Sequence, residues 1–120
     1  MPVSAVPAFL ERVEAELAAR WPEGRMVAVG HAGDGNIHLG LMAPEGMARE
    51  EWVARASGAE AVVNAVAVDL GGSFSAEHGI GQSKRHAMAT HKDPVALDVM
   101  RAVKAAIDPR GLMNPGKMLP

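Results

Sequence analysis

The chain has 120 residues, a formal net charge of −2 and 48% hydrophobic residues, enough for one small domain with its own core. Lysines and arginines are scattered, which leaves no electrostatic footprint for nucleic acid, and cysteine is absent, which excludes disulfides and thiolate metal sites. There is no basic segment leading into an apolar one at the start and no apolar run of membrane-spanning length, so the expectation is a soluble, cytoplasmic protein without a signal peptide or membrane span. Residues 2–7 read as the end of an extended segment, with Ser4 as a cap. Phe9, Leu10, Val13, Leu17 and Trp21 recur at helical spacing, which predicts an amphipathic helix over about 7–20, stopped by Pro22 and Gly24. Two apolar runs, about 25–31 and 36–42, flank the small residues of Gly30-His31-Ala32-Gly33-Asp34-Gly35-Asn36-Ile37-His38 and predict an antiparallel hairpin.

Trp52, Ala56, Ala59, Val63, Val66 and Leu70 step by 4, 3, 4, 3, 4, predicting a second helix over about 47–70 that ends at Gly71-Gly72. Ser73-Phe74-Ser75-Ala76 reads as a short third strand leading into Glu77-His78-Gly79-Ile80-Gly81. A short helix over about 82–90 follows, then one over about 94–107 opened by Asp93-Pro94. The remainder, from Asp108 on, is irregular. The expected class is α+β: an antiparallel sheet with helices packed on one face, a partial ferredoxin-like (split βαβ) pattern lacking its first strand. Residues 1–120 form a single domain in this reading. An incomplete sheet leaves exposed edges, so self-association through an edge is expected.

The candidate chemistry sits in two stretches. A hairpin turning at Asp34-Gly35 puts His31 and His38 at the two ends of its loop. Directly opposed residues in such a pair have Cβ atoms about 4.5–5.5 Å apart, within reach of one metal ion. Two readings stay open: hairpin histidines with satisfied hydrogen bonds, or a ligand pair. Asp34 fits a loop-shaping role. Glu77-His78 is either an exposed charge with a loop histidine or a third ligand beside a general base, aimed by the backbone freedom of Gly79 and Gly81. Two histidines and a carboxylate form a known catalytic ligand set with a position open for substrate. The glycines of 30–35 do not match a dinucleotide fingerprint, because they lead into a strand, and 79–84 is too short for a P-loop. His86 and His91 fall in a predicted helix and at its end, and read as surface residues.

Three stretches taken together, 30–38, Ser75-Ala76-Glu77-His78-Gly79-Ile80-Gly81, and Asp108-Pro109-Arg110-Gly111-Leu112-Met113-Asn114-Pro115-Gly116-Lys117, resemble the C-terminal part of FAD-linked oxidases of the vanillyl-alcohol-oxidase type. The resemblance covers nearly the whole chain and is to the branch of D-lactate dehydrogenase, the glycolate oxidase FAD subunit and D-2-hydroxyglutarate dehydrogenase. It implies that His31, His38 and Glu77 hold a divalent metal, zinc or manganese. It implies that His78 is the catalytic base, that Asn36 lies near substrate and flavin, and that Asn114 and Lys117 belong to a tail directed towards the flavin. The implied reaction is oxidation of a small 2-hydroxyacid, with hydride passing from its α-carbon to FAD. One departure is Gly40, where D-2-hydroxyglutarate dehydrogenases tend to carry asparagine. Such enzymes hold FAD mainly in a domain preceding the matched region. The expectation is therefore a substrate- and metal-binding segment, inactive alone, partnered with an FAD-binding domain in cis or in trans and peripheral to the membrane only through partner subunits. The alternative is a non-catalytic metal-binding or subunit-interaction module of a split or truncated oxidoreductase.

Overall fold

A computed structural model describes residues 1–120, which divide into two units, Met1–Glu77 and His78–Pro120. The class is α+β, with a two-stranded antiparallel sheet and five helices.

The first unit opens with a 3₁₀ turn at Val3–Ala5, where the sequence suggested extended chain. Helix α1 (Val6–Arg20) follows with Pro7 in its first turn, and no side chain caps it; Ser4 lies inside the turn instead. Its apolar spacing turns Val6, Phe9, Val13 and Leu17 inward. Strands β1 (Arg25–His31) and β2 (Asn36–Met42) form the predicted hairpin with the predicted bounds. Gly35 closes the turn at φ 66°, where its amide donates to the Ala32 carbonyl at 3.2 Å. A Cβ there would stand 1.9 Å from the Met1 carbonyl oxygen, so glycine is required twice over.

The single helix expected over 47–70 is two helices, α2 (Arg49–Arg55) and α3 (Ala59–Asp69). Ser57 and Gly58 lie in the break; both favour non-helical backbone, glycine by about 1 kcal/mol against alanine. Apolar periodicity runs straight through this break and does not report it. Trp52 of α2 is buried, and its indole N–H donates to the Leu41 carbonyl at 2.8 Å, tying the helix to β2. Helix α3 ends in a Schellman motif. The Gly72 amide donates to the Ala67 carbonyl (2.7 Å) and the Gly71 amide to that of Val68 (3.0 Å), with Gly71 at φ 74°.

Alternation along the hairpin assigns Met26, Ile37, Leu39 and Leu41 to one face, and these pack on Phe9, Val13 and Leu17 of α1 and Val66 and Ala67 of α3. Full burial of side chains of this kind is worth about 1.5–3 kcal/mol each, so this cluster dominates the stability of the unit. The expected third strand is absent. Ser73 Oγ instead accepts from the Ser75 amide and donates to the Ser75 carbonyl, each at 3.2 Å, a local turn that takes the backbone out of any ladder.

The second unit holds α4 (Arg85–His91) and α5 (Pro94–Ile107). Asp93 caps α5 by accepting from the Ala96 amide at 2.9 Å. Asp108, at the other end, is buried and accepts from the Leu112 and Met113 amides, each at 2.9 Å, and from Lys104 Nζ. Lys104 also donates to the Met113 carbonyl at 2.6 Å. The tail returns to the start of the unit, where the Met118 amide donates to the Gly81 carbonyl (2.8 Å) and Arg85 Nε to the Leu119 carbonyl (2.7 Å). No helix of the protein is long and apolar enough to cross a membrane.

Candidate functional site

The hairpin register decides where the histidines stand. His31 pairs with Asn36, and His38 pairs with Val29. The expectation that His31 and His38 oppose one another directly is therefore corrected: the four-residue turn at 32–35 makes Asn36 the partner of His31 and puts His38 one step along the diagonal. Diagonal neighbours share a face and sit about 7–8 Å apart, still within reach of long side chains. His31, Asn36 and His38 thus occupy the hairpin face that looks away from the packed core.

His38 has a firm partner. Its Nε2 lies 2.9 Å from Glu77 Oε1, a contact spanning 39 residues of sequence. A carboxylate only accepts, so the Nε2 proton points at Glu77. Both side chains remain accessible, at 37% and 46% exposure, so solvent or a small ligand reaches them. His31 is 67% exposed, with Nδ1 3.8 Å from Asp34 Oδ2 across its own turn. Asn36 is half-buried, and its Oδ1 is screened from solvent without a hydrogen-bond partner in the protein. A buried acceptor left unsatisfied costs about 1–3 kcal/mol, and a ligand donor would recover that cost.

Glu77 ends the first unit, and His78, joined to it by one peptide bond, begins the second. Gly79 and Gly81 follow at φ 72° and 55°, which shows the irregular backbone that this stretch called for. Asn114 and Lys117 are exposed in the tail, where Asn114 takes φ 47° and its carbonyl accepts from the Lys117 amide at 3.3 Å. His86 Nδ1 lies 3.0 Å from the Ser83 carbonyl, which fits the local surface role expected of it.

Two features of the molecule escaped the sequence reading. The outer hairpin face is apolar around its histidines, with Val27, Val29, Gly40 and Met42 beside them and Val29 64% exposed. The alternation of β1 and β2 carried that signal once the register was known. The Asp108–Lys104 cap was also missed; its signal was an i, i+4 Lys–Asp pair before a glycine-containing turn. Lys104 and the Met113 and Leu112 amides hold the Asp108 carboxyl well below its usual range, at about 2, with the Lys104 hydrogen bond the largest cause.

The donors present suit a divalent ion. Two ligand atoms each about 2.0–2.2 Å from one ion lie no more than about 4 Å apart, and the His38–Glu77 separation falls inside that limit. The two-stranded hairpin carries His31 and His38 on one face, and a carboxylate 39 residues further along the chain meets His38 there, with His78 next to it in sequence. Residues 1–118 match the family described as FAD linked oxidases, C-terminal domain, and the chain belongs to that family. It is 39% identical over 116 residues to a D-2-hydroxyglutarate dehydrogenase of Stutzerimonas stutzeri, covering 97% of this chain and 25% of that protein. It is 38% identical over 120 residues to the glycolate oxidase subunit GlcD of Escherichia coli, covering 100% and 23%. It is 34% identical over 119 residues to a probable mitochondrial D-lactate dehydrogenase of Danio rerio, covering 99% and 23%. The chain spans about a quarter of the length of the curated relatives it matches.

Proposed function

We propose that this chain is the substrate- and metal-binding C-terminal part of an FAD-dependent 2-hydroxyacid dehydrogenase, inactive without an FAD-binding part supplied in cis or in trans. The observation that carries the reading is the His38–Glu77 contact, since it joins two of the family-motif stretches at 2.9 Å on a solvent-accessible face. In this reading His31, His38 and Glu77 hold the ion, zinc or manganese. When bound, such an ion supplies charge that polarises the hydroxyl and carboxylate oxygens of the substrate, and FAD supplies the hydride acceptor.

The residues of the chain do the rest. His38 would ligate as a neutral imidazole through Nε2, its single ring proton carried on Nδ1. Neutral His78 takes the hydroxyl proton on an imidazole nitrogen, so the substrate loses one proton and one hydride and leaves as the 2-oxoacid. Asn36 Oδ1 accepts from a donor on the substrate or flavin, ending its unsatisfied state. Asn114 and Lys117 belong to the tail on the flavin side, where the Lys117 ammonium suits an anionic group.

Metal content tests the reading. Wild type, His38→Ala and Glu77→Gln, purified alike without chelator, are compared by inductively coupled plasma mass spectrometry. The expected result is about one zinc or manganese per wild-type chain and a loss of at least tenfold in affinity for either variant. Wild type free of metal after dialysis against zinc or manganese would overturn the metal assignment. The same preparation should lack the visible flavin bands and 2-hydroxyacid oxidation; one flavin bound per chain would overturn the dependence on a separate FAD-binding part.

A further inference from the structure

Scattered along the sequence, the lysines and arginines are not shared evenly between the units. Met1–Glu77 carries five arginines against eleven carboxylates, whereas His78–Pro120 carries seven lysines and arginines against three aspartates. All three aspartates are committed. Asp93 accepts from the Ala96 amide at 2.9 Å, Asp98 pairs with Arg101 at 3.0 Å, and Asp108 holds Lys104 and the two tail amides. Lys84, Arg85, Lys92, Arg110 and Lys117 are left without an acidic side chain of their own unit as a partner.

Folding brings three of these cations to one end of the unit. The Met118 amide donates to the Gly81 carbonyl at 2.8 Å, which sets Lys117 beside the turn that runs into α4. The Lys84 amide closes that turn on the Ile80 carbonyl at 3.3 Å, and Arg85 Nε donates to the Leu119 carbonyl at 2.7 Å. Met118 adopts φ 63°, a left-handed conformation that a side chain resists, so the bonds on either side of it hold the tail where it would not settle alone. Like charges gathered in this way repel one another until an anion offsets them.

We propose that Lys84, Arg85 and Lys117 form a binding site for a phosphate group. Three cations exceed the single charge of a carboxylate, whereas a phosphate monoester carries about −1.5 to −2 near neutral pH and three strong acceptor oxygens. The Leu119 bond uses only Nε of the Arg85 guanidinium; the terminal N–H groups keep the planar fork that matches phosphate, and the two ammonium groups add charge. The phosphate belongs to a small diphosphate ligand or to a lipid headgroup, and the chemistry of recognition is the same for both. The site shares Lys117 with the reading above and is independent of the metal and of the hydroxyacid.

The test uses the chain itself in about 0.15 M salt, which screens diffuse attraction. The probes are inorganic pyrophosphate and ADP, followed by amide NMR, and vesicles of phosphatidylglycerol in phosphatidylcholine, followed by co-sedimentation. Saturable shifts of the amides of 81–85 and 117–119 are expected, with a Kd of about 1 mM or below. Lys84→Gln and Lys117→Gln should each weaken binding about tenfold, as loss of a charge-assisted bond predicts. Lys92→Gln removes the same charge from the other end of α4 and should change binding less than about twofold. Lys117→Gln decides alone if Lys84→Gln alters the helical circular dichroism. Saturation by pyrophosphate and ADP alone assigns the site to a soluble diphosphate ligand, and vesicle retention that is lost in Lys117→Gln assigns it to a lipid. No binding of any probe, or a loss in Lys92→Gln as large as that in Lys117→Gln, would overturn the proposal.

Discussion

The two units reach stability by different means. In Met1–Glu77, two helices cover one face of a hairpin, and Phe9, Val13, Leu17, Val66 and Ala67 form a continuous apolar cluster. In His78–Pro120, buried apolar side chains are limited to Ala87, Met88 and Leu97, and the long helix turns its branched residues to solvent. That unit is held by caps: Asp93 at the start of α5, and Asp108 with Lys104 at its end. Apolar area gives the first unit a non-directional driving force that grows with burial. Caps give the second unit direction and local order, but each is worth only about 1 kcal/mol. A site holding its three candidate ligands, His31, His38 and Glu77, on the first unit therefore rests on the better-packed part of the chain.

Truncating the core should have the largest effect. Phe9→Ala is expected to destabilise the first unit by about 3–5 kcal/mol in urea unfolding, because the ring is 2% exposed and its removal leaves a cavity. Val99→Ala, the matched change on α5, should cost no more than about 0.5 kcal/mol, because the side chain is exposed. Similar losses for both would erase the contrast between the units.

A smaller effect is expected at the end of α3. Gly71 stands at φ 74° with open space around it, so Gly71→Ala should cost about 1–2 kcal/mol through backbone strain alone. An unchanged denaturation midpoint would show that the Schellman turn is not held in place by the core above it.

The smallest effect is local and depends on pH. The Asp108 carboxyl is lowered to about 2 in the folded chain, against about 3.9 when unfolded. A depressed acid stabilises the fold above its unfolded value and loses that contribution as pH falls through its folded value. The Leu112 and Met113 amide resonances should therefore hold steady above about pH 4 and shift with a midpoint near 2. Asp108→Asn should remove that transition while leaving the hairpin resonances unmoved. A midpoint near 4 in wild type would mean that Lys104 and the two amides do not hold the carboxylate.

Much of this architecture was readable because it is set by near neighbours. The hairpin bounds followed from two apolar runs around a turn-forming loop, and α5 from Asp93-Pro94 and its regular spacing. Local reading failed where a competing local bond or a weak interruption won. The Ser73 hydroxyl took the backbone bonds a third strand would have used, and Ser57-Gly58 divided a helix whose apolar stripe never faltered. The candidate site was legible as a set of residue types and not as an arrangement. Nothing in the spacing of His31 and His38 distinguishes direct from diagonal pairing, because one change in turn length shifts every partner along the ladder.

By itself the amino-acid sequence determined the α+β class, the hairpin, the amphipathic helices and the three motif stretches that place the chain among the FAD-linked oxidases. These depend on side-chain period, turn chemistry and residue identity, all confined to a few neighbouring positions. Only the tertiary structure decided that His38 meets Glu77 across 39 residues and that Asn36 keeps an unsatisfied buried acceptor. Each is set by which distant surfaces close on one another, a choice made by packing and loop closure over the whole chain rather than by local preference.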